Sequence, residues 1–453
     1  MSFKSQQWLE ILLDINTFQP LNHSTKEEIV LAGFGKIHGK SVAIYAQNTE
    51  INRGYINKKA GSVILHLMNK AYELKIPIIA LLASPGIDLE EDLDSGMIYS
   101  QIISQNIAYS GIIPQFAVIM NPTLGAPAYS SVLMDLNFFS QHRSHLMVTS
   151  PAVVKEAIGE TTTLAELGGA VVHSQITGLA DFLDKTMSLQ LERVRALIDF
   201  FPAHYEQHPQ RKTPKNPLKQ LPILPSNPMK SFDMMSLIEA LVDDSQIYSY
   251  KEHFGKSMIC SFAYIEGIPV GIVANQSKQQ SGAINCDVSQ KSSRFIRLCD
   301  AYNIPIITLL DVPGFMPGKR EEHRSLLKHG ARFCFAMQTV VPRVSVVIRK
   351  AYGAAAFLMM QTRAQGGDLV LALKGAQIGA MGQQASAKVR VAEHNHSSQE
   401  TQHNESLEKA CAQGLIDKVI TYEEIREQLA FYLKQLLNNE PKKRLPRKHF
   451  IEP

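Results

Sequence analysis

The chain has 453 residues, of which 45% are apolar and 19% charged, and this excludes the low-hydropathy, high-charge profile of a disordered protein. Its 46 basic and 42 acidic residues leave a net charge of +4, too balanced for the clustered Lys/Arg face of a nucleic-acid binder. At about 150 residues per domain, the length suits two or three domains.

The N-terminus, Met1-Ser2-Phe3-Lys4, has no basic segment leading into an apolar one, so no secretory signal is expected. Apolar runs such as 116–120 are far shorter than the roughly 20 residues that cross a bilayer. The expectation is a cytoplasmic protein with no membrane partner. The five cysteines, Cys260, Cys286, Cys299, Cys334 and Cys411, are odd in number and lack CxxC spacing, which argues against a disulfide framework and a zinc site. His394 and His396 stand in a polar stretch without further ligands at coherent spacing, so a solvated loop and no metal site are expected.

In chain order, β-branched runs bounded by Gly and Pro predict strands at 42–46, 76–82 and 116–120, and helical patterns occupy 61–74 and 96–109. The third strand runs into a Gly-containing turn and a new helix. Prolines at 202, 209, 214, 217, 222, 225 and 228 then interrupt the pattern, predicting an extended linker over 201–232 between domains at 1–200 and 233–453. Beyond it, strands are predicted at 270–274, 304–310 and 344–348, with helices at 289–302 and 323–337.

The two halves are copies. Residues 32–129 align with 260–357 without a gap at a constant shift of 228, with 23 identities in 98 positions. The shift superposes Ile76-Pro77-Ile78-Ile79 on Ile304-Pro305-Ile306-Ile307, Pro85-Gly86 on Pro313-Gly314, and Gly125-Ala126 on Gly353-Ala354. A constant register over separated segments marks a tandem duplication of an α/β unit of ββα type.

The most informative residues follow the predicted strands. Gly125-Ala126-Pro127 and Gly353-Ala354-Ala355 end their strands with small side chains that let a ligand approach the backbone. A helix that begins there leaves its first N–H groups unpaired, which is how an oxyanion hole is built. Pro127 has no N–H, so the first copy narrows to Gly125 and Ala126, whereas the second offers Ala354 and Ala355. Gly86, in Ser84-Pro85-Gly86, and Gly314 with Phe315, in 311–318, close the preceding strands and are expected to border the same pockets.

With these residues in view, the chain resembles the carboxyltransferase β subunits of biotin-dependent acyl-CoA carboxylases, of the propionyl-CoA carboxylase kind, in the crotonase-like superfamily. The resemblance rests on Gly271-Ile272-Val273-Ala274-Asn275-Gln276, the segment 311–318, His329-Gly330-Ala331, Arg349-Lys350-Ala351-Tyr352-Gly353, the segment 377–382 and, in the first half, 110–115 and Leu167-Gly168-Gly169-Ala170.

The resemblance implies an α/β fold, a tandem duplication of the ClpP/crotonase ββα spiral unit. It implies a coenzyme A thioester held against the first copy and carboxybiotin, on a separate carrier protein, against the second. An enolate would form in one oxyanion hole, with Gly125 and Ala126 as donors, and the biotin ureido oxygen would sit in the other, with Ala354 and Ala355. Gly86, Gly314, Phe315 and Gly353 would line the substrates, and Phe357 falls where the family tunes acyl-chain size. The implied partners are a biotin carboxylase or biotin carrier subunit and further copies of this chain, from a dimer up to a hexamer.

The chain departs from the family mainly in its first half. Gly125-Ala126-Pro127 stands where a Gly-Gly-Ala run is usual, and Ala83-Ser84-Pro85-Gly86-Ile87-Asp88 stands where an Asp-Ser-Gly-Gly-Ala-Arg loop is usual. The stretch 383–405 is also shorter and more polar. The leading expectation is a carboxyltransferase acting on the α-carbon of an acyl thioester carried by CoA or a carrier protein. Its rivals are a biotin-independent decarboxylase of malonyl- or methylmalonyl-thioesters and a non-catalytic thioester-binding or structural subunit.

Overall fold

The computed structural model describes residues 5–21, 28–216, 218–380 and 402–439. The chain divides into two compact units, Met1–Gln210 and Arg211–Pro453. His394 and His396 lie outside the described residues.

In unit 1 the strands are β1 (Gln19–Pro20), β2 (Val30–Ile37), β3 (Lys40–Gln47), β4 (Ile78–Leu82), β5 (Gln115–Ile119), β6 (Thr123–Leu124), β7 (Leu136–Ser140), β8 (Leu146–Met147) and β9 (Phe182–Asp184). Its helices are α1 (Ser5–Leu12), α2 (Lys58–Leu74), α3 (Leu93–Tyr109), α4 (Ala126–Leu133), α5 (Pro151–Ile158), α6 (Leu164–Gly168), α7 (Ala170–Gln175) and α8 (Met187–Leu197). The main sheet runs β1-β2-β3-β4-β5-β7-β9, antiparallel through the β2–β3 hairpin and parallel thereafter. Every residue of β4, β5 and β7 is buried, as expected of parallel strands covered on both faces.

Unit 2 repeats this plan with β10 (Tyr248–Tyr250), β11 (Met258–Ile265), β12 (Ile268–Asn275), β13 (Ile306–Val312), β14 (Arg343–Tyr352), β15 (Leu369–Leu373), β16 (Gln377–Gly379) and β17 (Lys418–Ile420). Its helices are α9 (Met234–Leu241), α10 (Cys286–Ala301), α11 (Lys319–His323), α12 (Leu326–Ala336), α13 (Gly353–Met360), α14 (Gln402–Ala412) and α15 (Ile425–Asn438). The sheet order is β10-β11-β12-β13-β14-β15-β17, with β16 beside β14. Each unit has its own apolar core, one around Ile64, Met68, Ala80 and Ile119, the other around Ile238, Ile272, Leu309 and Val346.

The duplication extends to backbone detail. At the same shift of 228, left-handed glycines match in pairs: Gly39 with Gly267 (φ +77° and +76°), Gly54 with Gly282 (+82° and +79°), Gly86 with Gly314 (+134° and +142°) and Gly125 with Gly353 (+63° and +67°). The helix caps match too. Asn57 Oδ1 accepts the Ala60 N–H at 2.9 Å, and Asn285 Oδ1 accepts the Val288 N–H at 2.9 Å, each satisfying a donor of the first turn.

Two expected elements differ. The helix expected over 323–337 is two, α11 and α12, because Ser325 adopts a left-handed conformation (φ +66°) that ends one helix and starts the next. The strand over 116–120 reaches the Gly125 turn and its helix as expected, but through a second short strand, since Pro122 lacks an N–H and separates β5 from β6. In unit 2 the counterpart β14 is continuous. Between Phe201 and Phe232 the described residues form no helix or strand. The segment is nevertheless tied down: the Lys212 N–H donates to the Gly267 carbonyl at 2.9 Å, and Asp244 Oδ1 accepts the N–H groups of Lys215 and Asn216 at 3.0 and 2.7 Å.

Strand β8 is clamped from the α6–α7 side. Gly168 lies so close that a Cβ would come within 2.2 Å of the Leu146 carbonyl oxygen. Buried His173 meets that same carbonyl through Nε2 at 2.6 Å and Thr177 Oγ1 through Nδ1 at 2.9 Å. A carbonyl only accepts, so Nε2 carries the hydrogen and Nδ1 accepts from Thr177. Burial pushes the His173 pKa below its ordinary value.

Two outcomes are expected. Gly39→Ala should cost about 1–2 kcal/mol from left-handed strain alone, since nothing lies near its Cβ, whereas Gly267→Ala, whose Cβ would sit 2.0 Å from the Lys212 carbonyl, should lower the thermal midpoint further. Because the folded-state pKa of His173 is lowered, its contribution is present above about pH 6.5 and is lost as the pH falls. Denaturant titrations at pH 7.5 and 5.5 should show a smaller drop for His173→Gln than for the native chain.

Candidate active site

Both units build their candidate site where β4 and β5, or β13 and β14, end at their C-terminal edge, the usual place for ligands in α/β sheets. In unit 1 the loop after β4 is held from three sides. Gln47 Oε1 accepts the Ala83 N–H at 2.7 Å, the buried Ser84 hydroxyl donates to the Gly54 carbonyl at 2.7 Å, and the Gly86 N–H donates to Ser84 Oγ at 3.2 Å. The Ile56 N–H then bonds the Gly86 carbonyl, and the Asp88 N–H bonds the Ile56 carbonyl, both at 2.9 Å. In such a parallel bridge the intervening Ile87 turns its own N–H the other way.

The second turn of unit 1 touches the first: a Cβ on Gly125 would lie 3.9 Å from the Gly86 Cα. Gly125 and Ala126, expected to be paired donors, behave differently. The Gly125 N–H is shared between the Met147 and Val148 carbonyls at 3.2 and 3.1 Å, so the strand that His173 clamps engages it. Ala126 opens α4, and among the described residues its N–H has no acceptor; Pro127, next in the helix, has no N–H to offer.

Unit 2 reproduces this frame. The Asp311 N–H donates to Asn275 Oδ1 at 3.2 Å, the Ile284 N–H to the Gly314 carbonyl at 3.1 Å, and the Met316 N–H to the Ile284 carbonyl at 2.8 Å. Phe315 occupies the Ile87 position, with its N–H turned away from that bridge. Its ring lies against α12 at Gly330, where a Cβ would come within 3.2 Å of it. Strands β13 and β14 stay paired up to Val312 and Ala351, so Gly314 and Gly353 each lie two residues beyond a matched pair. Ala354 is exposed and Ala355 buried at the start of α13, and among the described residues neither N–H has an acceptor. Phe357 follows one turn later, partly buried.

The two sites differ in charge. Asp311 is fully buried and paired with Arg349, and its other oxygen lies 3.7 Å from Lys350 Nζ. Arg349 also donates to the Lys230 carbonyl at 2.7 Å and to Ser277 Oγ at 3.1 Å, and it stacks over Phe232 at 5.5 Å. Burial, and then the Asp311 charge, raise the pKa of Tyr352, whose hydroxyl donates to Gln377 Oε1. Sequence reasoning did not single out this cluster, although an adjacent Arg and Lys in the apolar run 344–351 is a visible signal. The N–H groups of Ile87 and Phe315 were also missed, because only the bridge geometry reveals them.

The model of the carboxyl transferase domain matches residues 7–451. A propionyl-CoA carboxylase beta chain from Roseobacter denitrificans is 33% identical over 90% of this chain and 83% of its own. A methylmalonyl-CoA decarboxylase subunit alpha from Veillonella parvula is 32% identical over 98% and 92%. The structure of transcarboxylase 12S, a hexamer with methylmalonyl-coenzyme A bound, matches with a TM-score of 0.91 and 28% identity over 99% of this chain and 92% of that one. A duplicated α/β unit with matched strand-end turns, and a family match that runs through both copies, have one common explanation: the chain belongs to the carboxyl transferase family, with its crotonase-like fold.

Proposed function

We propose that this chain is the carboxyltransferase component of an acyl-CoA carboxylase or transcarboxylase system, moving a carboxyl group to or from the α-carbon of an acyl thioester. The observation that carries this reading is the pair of matched turns, each opening a helix with N–H donors that have no acceptor among the described residues, Ala126 in unit 1 and Ala354 and Ala355 in unit 2. In unit 1 the Ala126 and Ile87 N–H groups hold the thioester oxygen as negative charge develops on it, with Gly86 and Gly125 keeping the backbone close. In unit 2, Ala354, Ala355 and Phe315 present the corresponding donors, while Gly314, Gly353 and Phe357 shape the wall. Carboxybiotin on a separate carrier protein supplies the activated carboxyl group. The second turn suits a carbonyl oxygen that gains negative charge, since it combines adjacent N–H donors with a nearby excess of positive side chains.

The two units correspond to two carboxyltransferase-like domains, and the working enzyme is an oligomer of this chain, as the hexameric transcarboxylase is. Among the described residues no helix is long and apolar enough to cross a membrane, and a cytoplasmic location is part of the proposal. A second reading, a decarboxylase of methylmalonyl-type thioesters, is favoured by the Veillonella relative.

Purified protein incubated with malonyl-CoA and methylmalonyl-CoA, with and without free biotin, separates the readings through CO2 release and the acyl-CoA product. Biotin-dependent turnover is the expected result. Turnover independent of biotin establishes the decarboxylase, and binding without turnover the non-catalytic subunit. Proline is tolerated in the first turn of a helix, so Ala126→Pro and Ala354→Pro each delete one N–H with little distortion. Ala126→Pro should lower kcat about 100-fold with every acyl substrate, whereas Ala354→Pro should depress only the biotin-dependent rate. Unchanged rates in folded variants would refute the donor assignment.

A further inference from the structure

The duplicated backbone is an internal control for the charged cluster of unit 2. Asp311, Arg349 and Lys350 stand where unit 1 has Ala83, Asn121 and Pro122, yet the turns that follow adopt the same left-handed glycine conformations in both units. The fold therefore builds this turn without any of the three charges. Burying charge is costly, and here two cations are buried against one anion. Both terminal nitrogens of Arg349 are engaged, by Asp311, the Lys230 carbonyl and Ser277. Lys350 is not: its side chain is 9% exposed, and its ion-pair partner, Asp311 Oδ1, lies 3.7 Å away, beyond hydrogen-bond length. That oxygen accepts no hydrogen bond among the described residues. A side chain nine-tenths buried, whose ammonium donates no hydrogen bond among the described residues, thus stands four residues before exposed Ala354.

We propose that Lys350 is a catalytic residue of the second turn. Its ammonium stabilises the substrate oxygen that becomes negative there, while Asp311 and Arg349 act as positioning residues. The interaction is electrostatic, with no covalent step and no net proton transfer. The proposal rests on the carboxyltransferase reading above and names the side chain that serves the biotin half of it.

Lys350→Met keeps the length of the side chain, removes its charge and leaves Asp311 paired with Arg349. In the full-length protein, with methylmalonyl-CoA as carboxyl donor and free biotin as acceptor, kcat/KM for biotin should fall about 100-fold. The KM for methylmalonyl-CoA should stay within about twofold of the native value, and Lys350→Arg should recover most of the rate. The thermal midpoint of Lys350→Met should be equal to or above that of the native chain, because a surplus buried charge is gone. A lowered midpoint with both substrates equally impaired would make Lys350 a structural residue and overturn the proposal, as would an unchanged kcat/KM for biotin. A native chain that shows no biotin-dependent transfer instead overturns the carboxyltransferase reading and takes this proposal with it.

Discussion

A single backbone constraint governs both candidate sites: the chain must leave a buried parallel strand and enter a helix through one left-handed residue. Gly125 and Gly353 meet it at φ +63° and +67°, a conformation that costs an L side chain about 1–2 kcal/mol. Because the helix starts at once, its first N–H groups have no carbonyl four residues back and project from the C-terminal edge of the sheet. Surrounding features fix that edge. The amides of Gln47 and Asn275 hold matched residues at the end of the preceding strand, Ala83 and Asp311, and the bridges at Ile56 and Ile284 turn the neighbouring loop so that a further N–H faces outward.

Duplication separates what this backbone requires from what chemistry adds. Unit 1 builds the turn with Ala83, Asn121 and Pro122 and holds it through β8, which Gly168 and His173 press into place. Unit 2 reaches the same dihedral angles with Asp311, Arg349 and Lys350, on a β14 that runs unbroken past a register shift between Leu310 and Val312. The neutral turn and the charged turn are thus two solutions to one geometric problem. On the proposed reading, their difference in charge is a difference in what each turn can stabilise.

Much of this was legible in the sequence. Strands buried on both faces read as continuous apolar runs, so β4, β5, β13 and β14 were visible, and the constant shift of 228 tied them into two copies. The small-residue turns were visible for the same reason. Less legible was what depends on residues far apart in the chain. β8 is two residues long and leaves no periodic signal, yet its Met147 carbonyl, with that of Val148 just beyond, engages the Gly125 N–H. The break at Ser325 is a left-handed residue that is not glycine, which composition does not announce. Arg349 and Lys350 stood out as charges in an apolar strand, but their convergence on Asp311 follows from register rather than spacing.

The proline at position 127 gains meaning against this background. In unit 1 the Gly125 N–H is engaged and Pro127 has none, so Ala126 alone offers a donor from the helix start, and on the proposed reading Ile87 on the adjoining loop supplies the second. In unit 2 Ala354 and Ala355 both remain available, with Phe315 beside them. On the proposed reading, a thioester oxygen is then held between two loops that must keep their spacing, in keeping with the close approach of Gly125 to Gly86 and the left-handed φ of both. On the same reading, an oxygen at the second turn is gathered by one helix start, the Phe315 N–H and a buried cation. The first site depends on the distance between its loops and the second on local charge, so the same loss of a single amide weakens them through different physical terms.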